Sequence, residues 1–475
     1  MPLSILLVRP KTKYSDMVMG IPIGLSLMAA VAEALDHSVE ILDLALESSP
    51  EEAERILKRR LSQRKYAVAG ISCMTVEYES ARDMSRVIRG IQPECLIVFG
   101  GQHPTIQSDK VLADPGCDFV VAGEGEETFR DLLRCIAEHG DPSGVEGLHF
   151  KKDGAHFSTP VRPLIPDLDT IPFPAYHLLD LERYFLLESA RYAPKNQRAI
   201  QIFTSRGCPW QCIYCHSLFG KKFRGRSAGH VLSEIKMLYG SYRVREFMIE
   251  DDVFNLDMER AKDICDRIAG SGMKIHLQFG NGMQLERFDR ELAQKLARAG
   301  THHVAIGIES GSPRIQRMIQ KNVRLQAADE VVDWLRAGGI RTLGFFMIGF
   351  PFETVEEIRQ TIRYAAASHF DEALFSIVMP YAGTQLNQIA RESIAYGAGL
   401  AEAGENGPAF LKSDHWDYAS LKKLQREAYF LFFISRGRFI KIVPRLFQPR
   451  LAKKYAKALI RNFLPFRSKS HSRIN

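Results

Sequence analysis

The sequence predicts an α/β protein with a doubly wound N-terminal sheet, then a partial barrel of six βα units, then a C-terminal helical segment. Three observations support this prediction. The chain has 475 residues, too many for one ordinary core. Short apolar runs alternate with amphipathic helical patterns in two separate series. Beyond residue 396 the alternation stops and only helical periodicity remains.

The first series fills residues 1–140 and predicts a parallel, doubly wound sheet. Strands are predicted at residues 4–9, 39–44, 67–72, 96–100 and 119–122, with helices at 24–34 and 50–62. Such sheets bind ligands beyond the carboxyl ends of their strands. We therefore expect a ligand at the loops that follow three of these strands, residues 70–75, 100–105 and 123–128. Residues 141–195 carry proline turns and little periodicity, which predicts a connector.

The second series occupies residues 196–395 and predicts a partial or closed parallel barrel, with its chemistry at the carboxyl ends of the strands. Strands are predicted at residues 199–204, 246–250, 275–280, 303–308, 342–348 and 372–379. Helices are predicted at 228–239, 258–269, 287–298, 327–337 and 355–368. Residues 396–475 form a helical, basic region, in which the aromatic stretch 421–433 is expected to pack on the barrel or cover its mouth.

Composition and charge indicate a soluble, cytoplasmic protein with a basic tail. Apolar residues make up 45% of the chain and charged residues 25%. We find no signal-peptide pattern and no apolar window of membrane-spanning length, so a reducing compartment is expected. Residues 436–475 hold 12 Lys and Arg and no Asp or Glu, so the net charge of +7 leaves −5 for the rest. The tail suits an anionic membrane or nucleic acid, or is a solvated face that aids solubility.

Three of the eight cysteines lie within eight residues, in Cys208-Pro-Trp-Gln-Cys212-Ile-Tyr-Cys215, directly after the first strand of the second series. In a reducing compartment such clustering indicates metal binding and not a disulfide. Three thiolates on one loop can bind three irons of a cubane and leave the fourth iron open for a substrate or cofactor. The alternative is a structural zinc site completed by His216, although the sequence contains no second Cys-x-x-Cys pair.

The spacing Cys-x3-Cys-x2-Cys after a first barrel strand resembles the radical S-adenosylmethionine (SAM) superfamily. Residues 1–445 resemble those members in which a cobalamin (B12)-binding domain precedes the barrel. The other matching segments are Gly20-Ile-Pro-Ile-Gly-Leu25, Gly70-Ile-Ser-Cys-Met-Thr75, Gly100-Gly-Gln-His-Pro-Thr105, Gly123-Glu-Gly-Glu-Glu-Thr128, Thr204-Ser-Arg-Gly-Cys208, Phe223-Arg-Gly-Arg-Ser227, Asp251-Asp252-x-Phe254, Gly307-Ile-Glu-Ser-Gly311 and Pro380-Tyr-Ala-Gly-Thr384.

The resemblance implies a Rossmann-like cobalamin-binding domain and a TIM-like partial (β/α)6 barrel. It further implies that Cys208, Cys212 and Cys215 hold a [4Fe–4S] cluster. SAM would chelate the open iron, and the reduced cluster would break its sulfonium bond to form a 5′-deoxyadenosyl radical. The protein would bind and orient these groups and exclude water.

The resemblance also assigns SAM contacts within the barrel. Tyr214 stands where the family has an aromatic residue near the adenine. Glu309 or Ser310 is placed to hydrogen-bond the ribose or the amino group, and Gly307 allows close approach of the backbone. Gly344, at the start of segment 344–349, is expected near the adenine.

Asp251 and Asp252 end the second barrel strand. The resemblance implies that one of this pair binds the ammonium group of SAM or a substrate group. The alternative is a helix N-cap, which is the commoner role of Asp at a strand end.

The first domain lacks the Asp-x-His-x-x-Gly motif that supplies a lower ligand to cobalt. Many cobalamin-dependent radical SAM proteins lack it too, and a weak lower ligand suits methyl transfer. The candidate contacts are therefore small residues and backbone groups of three loops: Ser72, Thr75, Gly100, Gly101, Gly123 and Glu124. His103 is expected to be an ordinary surface residue, and a degenerate domain without cobalamin is the alternative.

The leading functional hypothesis is a C-methyltransferase that acts on a small molecule, lipid or tetrapyrrole. The alternatives are a radical cyclase, oxidase or rearrangement enzyme, a methylthiotransferase with a second cluster, and a non-catalytic carrier. Cys73, Cys95 and Cys117 would have to hold that second cluster, but their apolar surroundings indicate packing. The expected partners are an electron donor such as flavodoxin or ferredoxin and, through the basic C-terminus, a membrane surface; nucleic acid is not favoured.

Overall fold

The computed structural model describes residues 1–13, 20–152, 154–187, 194–216, 218–392 and 413–440. Within these residues the chain builds two large, mainly parallel sheets, one after the other, and a small two-stranded antiparallel sheet. The predicted α/β class is therefore confirmed.

The first part of the chain forms seven strands and six helices in the described residues. In chain order they are β1 (Ser4–Arg9), α1 (Ile23–Glu33), β2 (Ser38–Asp43), α2 (Pro50–Gln63), β3 (Val68–Ser72), α3 (Tyr78–Ile91), β4 (Leu96–Gly100), α4 (Gln102–Ile106), α5 (Ser108–Leu112), β5 (Phe119–Val121), α6 (Gly125–Ala137), β6 (Leu148–Lys152) and β7 (Ala155–Ser158).

The strand order of the first sheet is β2-β1-β3-β4-β5-β6-β7, and β1 to β5 are parallel. The chain passes from β1 to one neighbour and then returns to place β3 on the other side. The order therefore reverses between β1 and β3, where doubly wound sheets bind their ligands. The loops after β3, β4 and β5 all lie along this carboxyl edge.

The first sheet extends past the domain boundary predicted at residue 140. β6 and β7 are antiparallel additions to its edge, within the segment predicted to be a connector. All four residues of β7 are exposed, so this strand shows no apolar alternation in the sequence.

The second part begins with α7 (Leu181–Leu186) and contains the barrel and its surrounding helices. The elements are β8 (Ala199–Ile202), β9 (Ser205–Arg206), β10 (Arg224–Gly225), α8 (Ala228–Ser241), β11 (Glu246–Ile249), α9 (Met258–Gly270), β12 (His276–Met283), α10 (Arg290–Arg298), β13 (Thr301–Glu309), α11 (Pro313–Met318), α12 (Ala328–Ala337), β14 (Arg341–Ile348), α13 (Val355–Ala367), β15 (Glu372–Ile377), α14 (Gln385–Glu392) and α15 (Tyr418–Ile434).

Six parallel strands form the second sheet in the order β15-β14-β13-β12-β11-β8. Its edges, β8 and β15, do not pair with each other in the described residues, so the barrel is partial. Ile202, Phe247 and Val304 are buried in the main apolar core with the surrounding helices. Because side chains alternate along a strand, their neighbours Gln201 and Met248 face the concave side.

The last described helix covers the edge of this barrel and not its mouth. α15 packs on α13 and β15. The Tyr429 hydroxyl accepts the Phe375 N–H, and the Gln425 side chain donates to the Phe375 carbonyl. These main-chain groups have no strand partner, because β15 is an edge strand. Residues 441–475, where we predict most of the basic tail, lie outside the described residues. None of the described helices has the length and apolar character needed to cross a membrane.

Candidate active site

The three clustered cysteines lie on one loop at the carboxyl end of the first barrel strand. This cysteine loop, residues 207–223, leaves β9 and returns in β10, and these two short strands pair antiparallel. The Cys208 N–H donates to the Gly220 carbonyl at 3.3 Å, and the Cys215 N–H donates to the Cys212 carbonyl at 3.2 Å. The loop is thus closed at its base and turns tightly between its last two thiols.

Gly207 permits the turn that starts this loop. Its φ is +85°, in the region that favours glycine. A Cβ added there would lie 2.2 Å from the Lys222 carbonyl oxygen on the returning strand of the loop. Only glycine allows the two ends of the loop to approach so closely.

The thiols share one electrostatic environment and suit an iron–sulfur cluster. Cys208 and Cys212 are half-buried and Cys215 is exposed. Although the Cys215 side chain reaches solvent, desolvation by the surrounding loop together with the nearby thiols of Cys212 and Cys208 raises its pKa to about 11. In the described part of the chain, no three potential ligand side chains converge closely enough for a single metal ion. Three thiols on one loop are a ligand set that suits three irons of a cluster.

Asp251 holds the end of β8 in place. Its carboxylate accepts hydrogen bonds from the Thr204 N–H and hydroxyl, each at 2.5 Å, and from the Ser205 hydroxyl at 2.6 Å. The residue is 2% exposed. Asp251, predicted as a possible cofactor contact, thus has the geometry of a positioning residue. Asp252 is exposed and accepts the Gly207 N–H at 3.0 Å, so it retains an oxygen for a ligand.

The end of β13 brings together an acid and a base beside the thiols. Glu309 has a φ of +66°, an uncommon conformation for a residue with a side chain and one that clusters at functional sites. The Lys321 ammonium lies 3.4 Å from Glu309 Oε1. Despite burial, the charges of Glu309, Cys212 and Cys208 keep the pKa of Lys321 raised. Sequence analysis missed Lys321, because its partners lie at other points of the chain.

Gly307 leaves space for this pair, since a Cβ there would lie 2.6 Å from Glu309 Oε1 and 3.0 Å from Lys321 Nζ. Tyr214 is half-buried near the same carboxylate, and burial with the charges of Glu309 and Cys212 raises its pKa well above the ordinary value. The structure therefore brings together Gly307, Glu309 and Tyr214, three of the residues predicted to contact SAM.

Two other predicted SAM contacts lie elsewhere. Ser310 is fully buried, and its hydroxyl is 3.1 Å from the Thr361 hydroxyl on α13. Gly344 faces the outer helices, because a Cβ there would lie 2.8 Å from Phe346 and 3.0 Å from Phe370. Ser310 directly follows β13 and Gly344 lies in the middle of β14, and both are turned away from the concave face on which SAM is expected.

Five of the six predicted cobalamin contacts lie on the carboxyl edge of the first sheet. Ser72 and Gly100 are half-buried, and Thr75, Gly101 and Gly123 are exposed. The Thr105 hydroxyl links two of the loops, accepting the Gly123 N–H at 3.1 Å and donating to the Gly101 carbonyl at 2.8 Å. A Cβ on Gly101 would lie 2.9 Å from the Ser72 hydroxyl. Exposed backbone and small side chains fit the corrin amides and nucleotide tail of cobalamin.

Two expectations for these loops are wrong. His103 is 6% exposed, stacks on Tyr78 with ring centroids 4.2 Å apart, and has a pKa lowered to about 4 by burial. It is therefore not an ordinary surface residue. Glu124 is also buried, and its carboxylate pairs with Arg206 and Arg224 of the barrel instead of facing a ligand.

The carboxyl edges of the two sheets face each other. Gly20, which precedes α1, lies so close to the barrel that a Cβ on it would clash with the Gln201 side chain on β8. Gly383, after β15, lies similarly close to Ile106 at the end of α4. The cysteine loop and the glycine loops of the first sheet therefore border the same interdomain space.

Three of the four cysteines of the first domain were the candidates for a second cluster, and in the described residues they do not form a site. Cys73, Cys95 and Cys117 are each at most 2% exposed and belong to one apolar core cluster. Burial raises the pKa of all three thiols. They are packing residues, as their sequence context predicted.

Comparison with known proteins identifies both halves of this site. The family model of the B12 binding domain matches residues 18–133, and that of the radical SAM superfamily matches residues 202–365. An uncharacterized methyltransferase of Pyrococcus horikoshii is 32% identical, over 92% of this chain and 94% of that protein. The cytidylyl-2-hydroxyethylphosphonate methyltransferase of Streptomyces wedmorensis is 29% identical, over 79% of this chain and 78% of its own.

A solved structure has the same fold. The radical SAM methyltransferase TsrM of Kitasatospora setae, determined with cobalamin and a [4Fe–4S] cluster bound, superposes with a TM-score of 0.68 and 20% identity. The match covers 84% of this chain and 77% of that chain. Cyclases also occur among the relatives: the anaerobic magnesium-protoporphyrin IX monomethyl ester cyclase of Rubrivivax gelatinosus is 25% identical, over 71% of this chain and 60% of its own.

Proposed function

This chain belongs to the radical SAM enzymes that carry a B12-binding domain, and on that premise we propose that it transfers a methyl group to an unactivated carbon of its substrate. The observation that carries the proposal is the shared space between the two ligand-binding edges. A cysteine loop for the cluster lies on one side, and exposed glycine loops for cobalamin lie on the other. Methyl transfer needs both groups at one substrate carbon, and this arrangement supplies that proximity.

When bound, the cluster supplies the electron that cleaves SAM into a 5′-deoxyadenosyl radical, and cobalamin supplies the methyl group. The residues of the chain bind and orient these groups. Cys208, Cys212 and Cys215 hold the cluster. The Lys321 ammonium and the Glu309 carboxylate are placed to bind the carboxylate and amino or ribose groups of SAM by charge-assisted hydrogen bonds.

The concave face of the barrel is the proposed substrate site. Leu374 on β15 is 42% exposed there, and Tyr381 in the following loop is 48% exposed. Phe345 and Met347 on β14 are half-buried, and Ser376 adds an exposed hydroxyl. A mostly apolar lining with few polar groups suits a substrate with a broad apolar face, such as a lipid or a tetrapyrrole.

An anaerobic assay tests the proposal. The reconstituted protein is incubated with a low-potential reductant, cobalamin and SAM labelled in its methyl group. We expect S-adenosylhomocysteine, which methyl donation by SAM leaves behind, and 5′-deoxyadenosine, and we expect the Cys208→Ala variant to lose the second product. A wild-type preparation that carries the cluster yet forms no 5′-deoxyadenosine would contradict the assignment. In lipid and tetrapyrrole extracts, the product should gain one labelled methyl group.

The second candidate is a radical cyclase or oxidase on the same scaffold, favoured by the cyclase among the relatives. The same assay separates the two functions. A cyclase forms 5′-deoxyadenosine with substrate but no S-adenosylhomocysteine, and its product gains no methyl group.

We further propose a cytoplasmic enzyme that receives electrons from flavodoxin or ferredoxin and touches an anionic membrane through its C-terminus. Phe430 and Ile434 are 53% and 47% exposed on one face of α15, and Lys423 and Arg426 precede them on that face. Phe439 and Ile440 are 52% and 62% exposed just beyond the helix. Apolar side chains flanked by cations suit the interface of an anionic bilayer.

A further inference from the structure

Four buried charged side chains join the first domain to the base of the cysteine loop. Glu124 and Glu126 come from the start of α6, Arg206 from β9 and Arg224 from β10. Arg206 donates to Glu124 Oε1 at 3.1 Å and to Glu126 Oε1, and Arg224 donates to Glu124 Oε2 at 2.7 Å. None of the four side chains is more than 9% exposed. We call these residues the interdomain charge cluster.

The cluster is balanced in charge and fixed in geometry. It contains two carboxylates and two guanidinium groups, and buried charges of this kind are tolerated only when they are paired. The connector takes part as well, because the Ile165 N–H donates to Glu124 Oε2 at 2.9 Å and its carbonyl accepts from Arg224 at 2.7 Å. Movement of α6 relative to β9 would therefore expose or unpair a buried charge.

Both arginines also hold the returning half of the cysteine loop. Arg224 donates to the Phe219 carbonyl at 2.7 Å, and the Arg206 guanidinium lies over the Phe219 ring at 5.0 Å from its centroid. The next residue, Gly220, accepts the Cys208 N–H. The position of the first thiol is thus linked to the interdomain charge cluster through two adjacent residues.

The loop that leads into α6 is open to a ligand on the side opposite the interdomain charge cluster. Gly123 is exposed with a φ of +74°, and no atom lies within 4 Å of the position of an added Cβ. Its N–H is bonded by Thr105, which connects it to the loop after β4. Residues 123–126 therefore present backbone to the cobalamin edge and carboxylates to the cysteine loop.

We propose that Glu124 and Glu126 are positioning residues that couple cobalamin binding to the ordering of the cysteine loop. When cobalamin orders residues 123–126, the paired carboxylates also hold Arg206 and Arg224 in place at the base of the cysteine loop. Coupling between two sites is reciprocal, so loading of the iron–sulfur cluster must tighten cobalamin binding by the same factor. We expect about tenfold, within the usual range for coupled sites. The inference rests on the two cofactors of the proposed function but not on methyl transfer.

The test compares cobalamin affinity before and after anaerobic loading of the cluster. The Kd of hydroxocobalamin is measured by absorbance titration for the full-length wild type, Glu126→Gln and Glu127→Gln. Glu127 is the matched control, since it is adjacent on α6 but pairs on the surface with Arg130 of the same helix. We expect cluster loading to lower Kd about tenfold in wild type and Glu127→Gln, and to leave it unchanged in Glu126→Gln.

The decisive quantity is the ratio of the cobalamin Kd without the cluster to the Kd with it. If Glu126 had only a structural role, Glu126→Gln would raise both Kd values and leave their ratio unchanged. Equal Kd values in the wild type, or a full tenfold ratio in Glu126→Gln, would overturn the proposal. If Glu126→Gln does not fold, Glu126→Asp keeps the charge on a shorter side chain and must show a reduced ratio. Wild type that binds no cobalamin at all would instead contradict the proposed function.

Discussion

The carboxylate of Asp251 accepts hydrogen bonds from both the main-chain N–H and the hydroxyl of Thr204. This contact ties the end of β11 to the short segment between β8 and β9, which leads into the cysteine loop. The two carboxylate oxygens together accept from three donors, and replacement by Asn exchanges one of these oxygens for an NH2 group and removes the charge. Charge-assisted bonds of this kind contribute about 2 kcal/mol each.

We therefore expect Asp251→Asn to fold but to retain less than half of the wild-type iron after reconstitution, measured as iron per chain and by the spectrum of the reduced cluster. The control is Asp263→Asn, because Asp263 pairs with Arg267 on the exposed face of α9. Full iron content in Asp251→Asn would show that this acceptor does not position the loop.

The two ends of the cysteine loop permit a test of backbone geometry. Gly207→Ala adds a methyl group 2.2 Å from the Lys222 carbonyl, in addition to a left-handed conformation that costs about 1–2 kcal/mol for L-residues. Gly272→Ala carries the same conformational cost, with a φ of +74°, but meets no atom within 4 Å. We expect only Gly207→Ala to prevent cluster assembly, as judged by iron content. Equal iron content in the two variants would rule out the close approach as the reason for glycine.

Lys321 offers a prediction on SAM binding. Lys321→Met keeps an unbranched side chain one atom shorter and removes the charge. Loss of one charge-assisted hydrogen bond of about 1.5–3 kcal/mol weakens SAM binding by roughly 10–100-fold. The Kd of SAM is measured by equilibrium dialysis with the reconstituted enzyme. Lys321→Arg should recover part of the affinity for SAM. An unchanged Kd of SAM in Lys321→Met would show that Lys321 does not contact SAM.

Glu353, in the loop after β14, predicts a pH dependence of stability. Burial raises its pKa to about 8, although the Gly349 and Phe350 N–H groups bond its carboxylate. The folded protein therefore binds this proton more tightly than the unfolded chain, whose carboxyl has the ordinary value of 4.5. The stabilisation that the bound proton of Glu353 gives to the folded state is complete below about pH 4.5 and is lost as the pH rises to about 8.

We expect Glu353→Gln to abolish the loss of stability that deprotonation of Glu353 causes. Between pH 5 and pH 8 the free energy of unfolding should therefore fall less in the variant than in the wild type. Trp416 reports the transition by fluorescence, because its indole N–H donates to the Glu353 carbonyl at 2.9 Å. Glu356→Gln, on the exposed face of α13, is the control. Identical pH profiles for wild type and Glu353→Gln would contradict the assigned pKa.

The exposed end of α15 predicts lipid binding. Substitution of Phe430 and Ile434 together by Ser removes two apolar side chains next to the basic C-terminus, and burial of each contributes about 1.5–3 kcal/mol. We expect wild type to co-sediment with vesicles that contain phosphatidylglycerol and the double variant to remain in solution. Leu186→Ser is the control, since Leu186 is 81% exposed elsewhere on the surface. If the wild type does not co-sediment with these anionic vesicles, the proposed membrane contact is wrong.

The sequence alone identified the cysteine loop, because three thiols at fixed spacing carry their chemistry within eight residues. It also located β1 to β5 and the six strands of the barrel, since strand and helix periodicities are local properties of the chain. The segment with Gly307 and Glu309 was recognised from its resemblance to the family. β6 and β7 extend the first sheet into the segment predicted to be a connector, and exposed β7 lacks the apolar alternation on which a strand prediction depends.

Only the tertiary structure decided which side chains meet. Glu124 was predicted to contact cobalamin, yet it pairs with Arg206, which lies 82 residues along the chain. Gly344 and Ser310 face outer helices, and Lys321 reaches Glu309 from a separate loop. The physical reason is that a buried charge or polar group takes the nearest partner in space. Periodicity determines where a strand runs, but the packing of distant elements determines what each of its side chains contacts.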